Sequence, residues 1–523
     1  MSERPELDHQ GQFHEQRWRA DMAWYMRALG LVAALAVYLA LGAAEGLSHD
    51  ARMVAAIATL MAVWWMTEAI PLSATALLPI VLVPTFTGQN VTQAAGPYAN
   101  PIIFLFLGGF LIAIAMEKWN LHRRIALLTI SRVGVEPRRI ILGLMLAAGF
   151  LSMWVSNTAT ALMMLPIGTS ILALFLDSGS KAQDALAKGQ TITDAVKDPN
   201  IAAFGVCVLL AIAWAASIGG LGTILGSPPN AIVAGYAADE LGRPISFFQW
   251  MVLGTPLAFI LIFVAWLLMT RVLYRFDLPE IPGGRAMIEG KIAELGPMSQ
   301  GEKMVLAVFV GAAIFWIVPG LLNNIPFFAE NAPWLGGFND TVIAIAAGLI
   351  MFILPGEGRN TMVLNWKDAE DGLPWGVLLL FGGGLSLSSA IGASGLADWF
   401  GTQVVGLGGL PVILLIASVV AIILLLTEVT SNTATAATFV PILGGVAMGI
   451  GSDAMLLIIP AAFAATCAFM LPVGTPPNAI VFGTGKVTIA QMARGGAVLN
   501  LVGILLITAV CYLLIGAVFG ISY

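Results

Sequence analysis

The chain has 523 residues, of which 59% are hydrophobic and only 10% charged, and its mean hydropathy of +0.90 lies far outside the globular range. The formal charge of −6 is modest and spread over loops, so it implies neither a nucleic-acid nor an acidic partner. The apolar runs are continuous rather than alternating, which excludes a β-barrel and leaves helices to satisfy any lipid-exposed backbone.

Residues 1–27 read as a polar N-terminal tail of mixed charge, without the apolar core of a cleavable signal peptide. Runs at 28–46 and 52–66, near the length that crosses a bilayer, open a first half that extends over 28–275. Trp64 and Trp65 are expected to be an interfacial aromatic anchor. Asn100-Pro101 then leads into an apolar stretch carrying Gly108-Gly109, followed by the basic segment Lys118 to Arg139. The same construction returns as Leu373-Pro374-Trp375, Gly382-Gly383-Gly384 and Ser394 to Phe400. Single spans with packing glycines are the alternative, but recurrence predicts two re-entrant helical hairpins, at about 100–135 and 373–402. The polar insertion Asp177–Asn200 is expected outside the bilayer, and a polar connector at 276–302 separates the halves. The second half, 303–523, ends on the apolar run 495–518. Arg17, Arg19, Arg27 and the Arg123–Arg139 cluster favour a cytoplasmic placement of their segments. Cys207, Cys467 and Cys511 lie in or beside apolar runs and read as small buried residues rather than disulfides.

Two polar motifs interrupt the apolar runs, and both occur twice. Ser156-Asn157-Thr158-Ala159-Thr160 is followed by Gly226-Ser227-Pro228-Pro229-Asn230-Ala231-Ile232. Ser431-Asn432-Thr433-Ala434-Thr435 is followed by Gly474-Thr475-Pro476-Pro477-Asn478-Ala479-Ile480. The copies lie 275 residues apart at Asn157 and Asn432 but 248 apart at Asn230 and Asn478, a difference that the insertion Asp177–Asn200 explains. Matched polar breaks in two halves mark a transporter built from internal repeats. The fold class expected is therefore an all-α polytopic membrane protein of about 11 spans. It would contain two inverted-topology repeats, with helices broken at 156–158, 226–230, 431–433 and 474–478.

A broken helix supplies what a charged solute needs. Unpaired N–H groups at one end attract anions, freed carbonyls attract small cations, and Ser, Thr and Asn side chains add neutral donors and acceptors. Pro228-Pro229 and Pro476-Pro477 enforce the second break of each half. Segments 140–176, 201–235, 409–450 and 455–485 contain a single ionisable side chain, Glu428, and no Lys, Arg or His. A bound anion must then be held by helix dipoles, neutral hydrogen bonds and co-bound cations. Glu428, one turn before Ser431, is either a participant in ion coupling or a hydrogen-bonded structural group. His9, His14, His49 and His122 lie outside the motif regions, so neither a metal centre nor a histidine relay is expected there. HExxH, GxSxG and Walker A sequences are absent, which argues against an enzyme.

The doubled motifs, with the stretches Ile103–Phe110 and Phe469–Asn478, resemble the divalent anion/sodium symporter family of di- and tricarboxylate transporters. The resemblance covers nearly everything from about residue 28 onward. It implies one sodium site at Ser152, Ser156, Asn157 and Gly226, and a second at Thr427, Thr430, Asn432 and Gly474. Thr430 and Gly474 would act through main-chain oxygens. It further implies substrate contacts from Asn157, Thr158, Asn432 and Thr433, with Ser227 and Thr475 nearby. A homodimer in the cell (inner) membrane, with a scaffold and an elevator-like transport domain, is the implied assembly. The expected activity is sodium-coupled symport of a C4-dicarboxylate such as succinate, malate or fumarate, with sodium ions co-transported. Anion exchange, and citrate or sulfate as main substrate, remain alternatives.

Overall fold

Apolar runs of bilayer length become helices because no other local structure satisfies their backbone in lipid. The computed structural model describes residues 7–521 apart from 135, 177–180, 188, 280–283, 324, 333, 335–338, 359–360 and 404–408. The described residues form helices joined by turns, with one isolated bridge between Pro355 and Met362 and no strand. Among the described residues, seven helices are long and apolar enough to cross a membrane, and five further apolar helices have 10–17 residues. Three of the short ones, Asn157–Ala173, Val412–Thr427 and Met455–Thr466, border the polar motifs. They are short because the motifs break them.

Burial separates central from peripheral helices. The apolar window of Met22–Ala43 is 6% buried and so faces lipid, whereas that of Pro199–Gly219 is 89% buried and forms the middle of the protein. The N-terminal tail is helical from Leu7 onward, continuing without a break to Ala40. The side chains of Arg17 and Arg19 lie outside the described residues.

Both expected hairpins are helix–turn–helix units. Pro101–Lys118 turns through Trp119 and Asn120, the latter in the left-handed region at φ 57°, into Leu121–Val133. Trp375–Ala393 turns at Ser394-Gly395 into the eight-residue Leu396–Gln403. The second arms, of 13 and 8 residues, are shorter than the roughly 20 residues of a full span.

The expected aromatic anchor is in part a packing element. Trp65 is fully buried, with Nε1 donating to Leu72 O at 3.1 Å, and Trp64 Nε1 donates to Arg27 O at 3.2 Å. Trp64 thus ties His49–Thr67 to Leu7–Ala40, while Trp65 fixes the turn after its own helix. Within the basic cluster, Arg124 is buried. It donates to Glu302 Oε1 at 2.8 Å and Oε2 at 3.1 Å, and to the Gly296 carbonyl at 3.1 Å, tying the first hairpin to the connector and the second half. The Asp177–Asn200 insertion, in its described part, forms helices Lys181–Ala187 and Ile192–Ala195 and docks through Ile192 N onto Lys486 O at 2.9 Å. The connector carries the helix Gly284–Glu294, with 280–283 outside the described residues.

A candidate site for cations and an anion

The first motif pair converges because two helices approach unusually closely. A methyl on Gly219 would stand 2.2 Å from the carbonyl oxygen of Gly149, so only glycine lets Pro199–Gly219 cross Pro137–Ser152 at this distance. The crossing sets Ser152, at the end of its helix, against Ala216. Ser152 Oγ has Ala216 O at 2.6 Å and Asn157 Oδ1 at 2.5 Å, two acceptors for one hydroxyl proton. The same Asn157 terminus lies 3.1 Å from Ala216 O and 3.2 Å from Gly226 O.

The second pair repeats the arrangement. Thr427 Oγ1 has Asn432 Oδ1 at 2.7 Å and Ala465 O at 2.9 Å. The Asn432 terminus lies 3.0 Å from both Ala465 O and Gly474 O. Each half thus gathers an asparagine amide, one hydroxyl and two main-chain carbonyls around a single point.

This donor set has a clear chemical meaning. With the amide nitrogen turned inward, asparagine donates to the surrounding oxygens and the cluster closes on itself. With the amide oxygen inward, four oxygens face one another, and a cation is the partner that satisfies them. All four are neutral hard donors, suited to an alkali ion rather than a transition metal. Among the described residues no group of three or more His, Cys, Asp or Glu could hold a metal. Sodium would enter as cargo.

The Pro-Pro-Asn motifs hold the loops that supply the carbonyls. Asn230 Nδ2 donates to Gly220 O and Thr223 O, both at 2.8 Å. Asn478 Nδ2 donates to Ala468 O and Leu471 O, both at 3.1 Å. Each asparagine reaches back ten and seven residues, pinning the unwound segment that precedes its helix. The halves are also stitched together, by Ser227 Oγ and Thr466 Oγ1 at 3.0 Å and by Trp214 Nε1 donating to Phe469 O at 3.1 Å.

Between the two clusters lies a cavity of about 750 Å³ bordered by both motif pairs. Asn157, Thr158, Ser227, Asn432, Thr433 and Thr475 all line it, so the structure brings the expected substrate residues together. Helices starting at Asn157, Pro228, Asn432 and Pro476 begin at its wall, and their N-termini favour negative charge. Among the described residues no Lys, Arg or His lines it, and its ionisable residues are Glu68 and Glu117.

The hydroxyls of Ser156 and Thr430 serve their own helices, and the expectation for Thr430 concerned its main-chain oxygen. Ser156 Oγ accepts from Ala159 N at 3.2 Å as a helix cap, and Thr430 Oγ1 donates to Leu426 O at 2.8 Å, so neither hydroxyl belongs to a four-oxygen cluster. Sequence reasoning missed the carbonyls of Ala216 and Ala465, which have no side-chain signature. It also missed the struts Asn230 and Asn478, which their motif position could have revealed, and Glu68 and Glu117, which lie outside the segments surveyed for charge.

Comparison with known proteins gives the same reading at family level. The family described as the sodium:sulfate symporter transmembrane region matches residues 22–521. A protein of Staphylococcus saprophyticus named sodium-dependent dicarboxylate transporter SdcS is 43% identical over 481 residues, covering 91% of this chain and 89% of its own length. The SdcS protein of Staphylococcus aureus strain RF122 is 44% identical over 480 residues, covering 91% and 88%. Among solved structures, the YdaH transporter of Alcanivorax borkumensis aligns with a TM-score of 0.51 at 13% identity, covering 90% of this chain and 99% of its own. MtrF of Neisseria gonorrhoeae, titled as illuminating a class of antimetabolite efflux pumps, aligns with a TM-score of 0.55 at 12% identity, covering 89% and 95%. At that identity the likeness speaks for the fold alone. With a family match across nearly its whole length, this multi-pass membrane protein is a transporter rather than an enzyme, and it belongs to the sodium-coupled symporters of divalent anions.

Proposed function

We propose that this protein moves a C4-dicarboxylate across the cell (inner) membrane together with sodium ions, one sodium bound at each four-oxygen cluster. The observation that carries the reading is the pair of matched, uncharged oxygen clusters flanking a cavity that, among the described residues, no basic side chain lines. A dianion entering such a cavity meets helix N-termini and neutral hydroxyl and amide donors. Each helix terminus contributes about 0.3–2 kcal/mol, against several kcal/mol for desolvating each carboxylate. Sodium supplies the remaining positive charge, and this requirement is the coupling.

Asn157 and Asn432 have two edges, one turned to a cation cluster and one available to the cavity they line. The same residue then binds a sodium and a carboxylate group. Thr158 and Thr433, next along each helix, complete the donor set for the two ends of a C4 dianion, with Ser227 and Thr475 beside them. The names of the relatives, dicarboxylate transporters at 43–44% identity, support a dicarboxylate over sulfate. The protein works as a homodimer in which the motif-bearing helices move as an elevator against a fixed scaffold.

Uptake by purified protein in liposomes tests the reading. Labelled succinate should accumulate only under an inward sodium gradient, with lithium a poor substitute. Asn157→Ala and Asn432→Ala should each reduce sodium-driven uptake by about a hundredfold or more while the protein remains folded. Uptake that is indifferent to sodium but needs internal dicarboxylate would identify an exchanger instead.

A further inference from the structure

The two oxygen clusters share their donor types, yet their surroundings differ at one charged position. Ser152 is followed by Met153, whereas Thr427 is followed by Glu428. Glu428 is only 4% exposed, and every hydrogen-bond partner it has is a donor. Its Oε1 accepts from Phe469 N at 2.7 Å, Met470 N at 3.0 Å and Asn500 Nδ2 at 2.7 Å. Its Oε2 accepts from Met470 N at 3.0 Å and Leu471 N at 3.1 Å. All of these contacts come from N–H donors, so the cage offers the side chain positions as an acceptor only. The ion pairs of the described residues use other carboxylates, so hydrogen bonds hold this charge while no basic side chain neutralises it.

The carboxylate also adjoins the cation cluster. A methyl on Gly474 would stand 3.3 Å from Glu428 Oε2, and Gly474 O is one of the oxygens facing Asn432. The N–H groups that Glu428 fixes belong to the unwound stretch that Asn478 pins through its carbonyls. In the first half the matching stretch is held without charge. Thr223 Oγ1 donates to Met153 O, Trp250 Nε1 to Leu221 O at 3.0 Å, and Thr255 Oγ1 to Gly222 O at 2.8 Å.

We infer that Glu428 makes the two cation sites unequal, so that the site around Asn432 binds sodium more tightly than the site around Asn157 and fills first. A fixed negative charge in a low-dielectric interior, beside the residue whose carbonyl faces Asn432, raises the affinity for a cation there by about tenfold or more. The bound sodium in turn neutralises an otherwise uncompensated buried anion, before a dicarboxylate adds two further negative charges. Glu428 is thus a positioning residue, acting through its charge and through the backbone of 469–474. The inference rests on the assignment of the two clusters as sodium sites.

The test uses the purified full-length protein without dicarboxylate, with sodium exchanged against choline at constant ionic strength. Radioactive sodium binding and the sodium-induced rise in melting temperature are both followed. The wild type should show two steps separated by about tenfold or more in sodium concentration. Asn432→Ala should remove the tight step and Asn157→Ala the weak one. Glu428→Gln should move the tight step about tenfold or more to higher sodium and leave the weak step in place. Glu428→Asp, which keeps the charge, should keep that step tight. If either asparagine substitution leaves both steps intact, the site assignment itself is wrong. If each removes one step, the inference is overturned by Asn157→Ala removing the tight one, or by Glu428→Gln leaving it in place. A single unresolved step in the wild type overturns it as well. Should Glu428→Gln fail to fold, the two asparagine variants alone decide the order of filling.

Discussion

At the scale of single residues, the site is built from atoms that side-chain chemistry reveals only in part. Asn157 and Asn432 stand out in the sequence because an amide in an apolar helix needs a reason. Ala216 and Ala465 do not, because a carbonyl becomes a ligand only where its helix stops, and no side chain announces that. The glycines fall between these cases. A methyl on Gly226 would sit 2.6 Å from Gly220 O and 2.9 Å from Gly220 Cα, both backbone atoms that cannot turn aside. A methyl on Gly474 meets the Ala468 methyl at 2.9 Å and the Glu428 carbonyl only at 3.2 Å. Gly226→Ala should therefore displace a ligand carbonyl and weaken sodium binding at the first site by about a hundredfold, with Gly474→Ala weaker in effect by about tenfold. Sodium titrations of the two variants by melting temperature compare them directly, and equal losses would show that crowding at Gly220 is not what sets the first site.

At the scale of elements, recurrence made the architecture legible. The hairpins were visible because two stretches with the same order of polar and glycine signals preceded the two Ser-Asn-Thr copies at similar distances. The helix breaks were visible because Pro-Pro and Ser-Asn-Thr cannot continue a helix without cost. What composition could not give was which charges face inward. Arg124 belongs to a run of basic residues, yet its side chain is 10% exposed and paired with Glu302 at 5%. Arg124→Ala would leave a buried carboxylate unpaired and should destabilise the protein by about 3–5 kcal/mol. Joint replacement by Arg124→Met and Glu302→Leu should recover most of that loss, since two packed apolar side chains leave no charge stranded. Thermal unfolding in detergent of the single and double variants measures both. A double variant no more stable than the single one would mean that the ion pair carries packing that Met and Leu cannot replace.

At the scale of the whole molecule, the cavity and the two cation clusters form one electrostatic unit. The wall of the cavity offers helix termini, hydroxyls and amides, and its own ionisable groups are the acids Glu68 and Glu117. A dicarboxylate approaching the sodium-free protein would meet no full positive charge and two negative ones. With a sodium in each cluster, as proposed, two positive charges would lie behind the asparagines that line the cavity, and the same helix termini would act in concert with them. Sodium should therefore bind first and raise the affinity for succinate by about a hundredfold or more, within or somewhat above the usual range of coupling between two sites. Linkage requires that succinate raise the affinity for sodium by the same factor, because the two routes to the loaded state share their end points. Calorimetry can measure both directions, with succinate titrated at zero and saturating sodium, and sodium titrated at zero and saturating succinate. Succinate binding the sodium-free protein as tightly as the sodium-loaded one would remove the electrostatic basis of the coupling, whatever the transport assays showed.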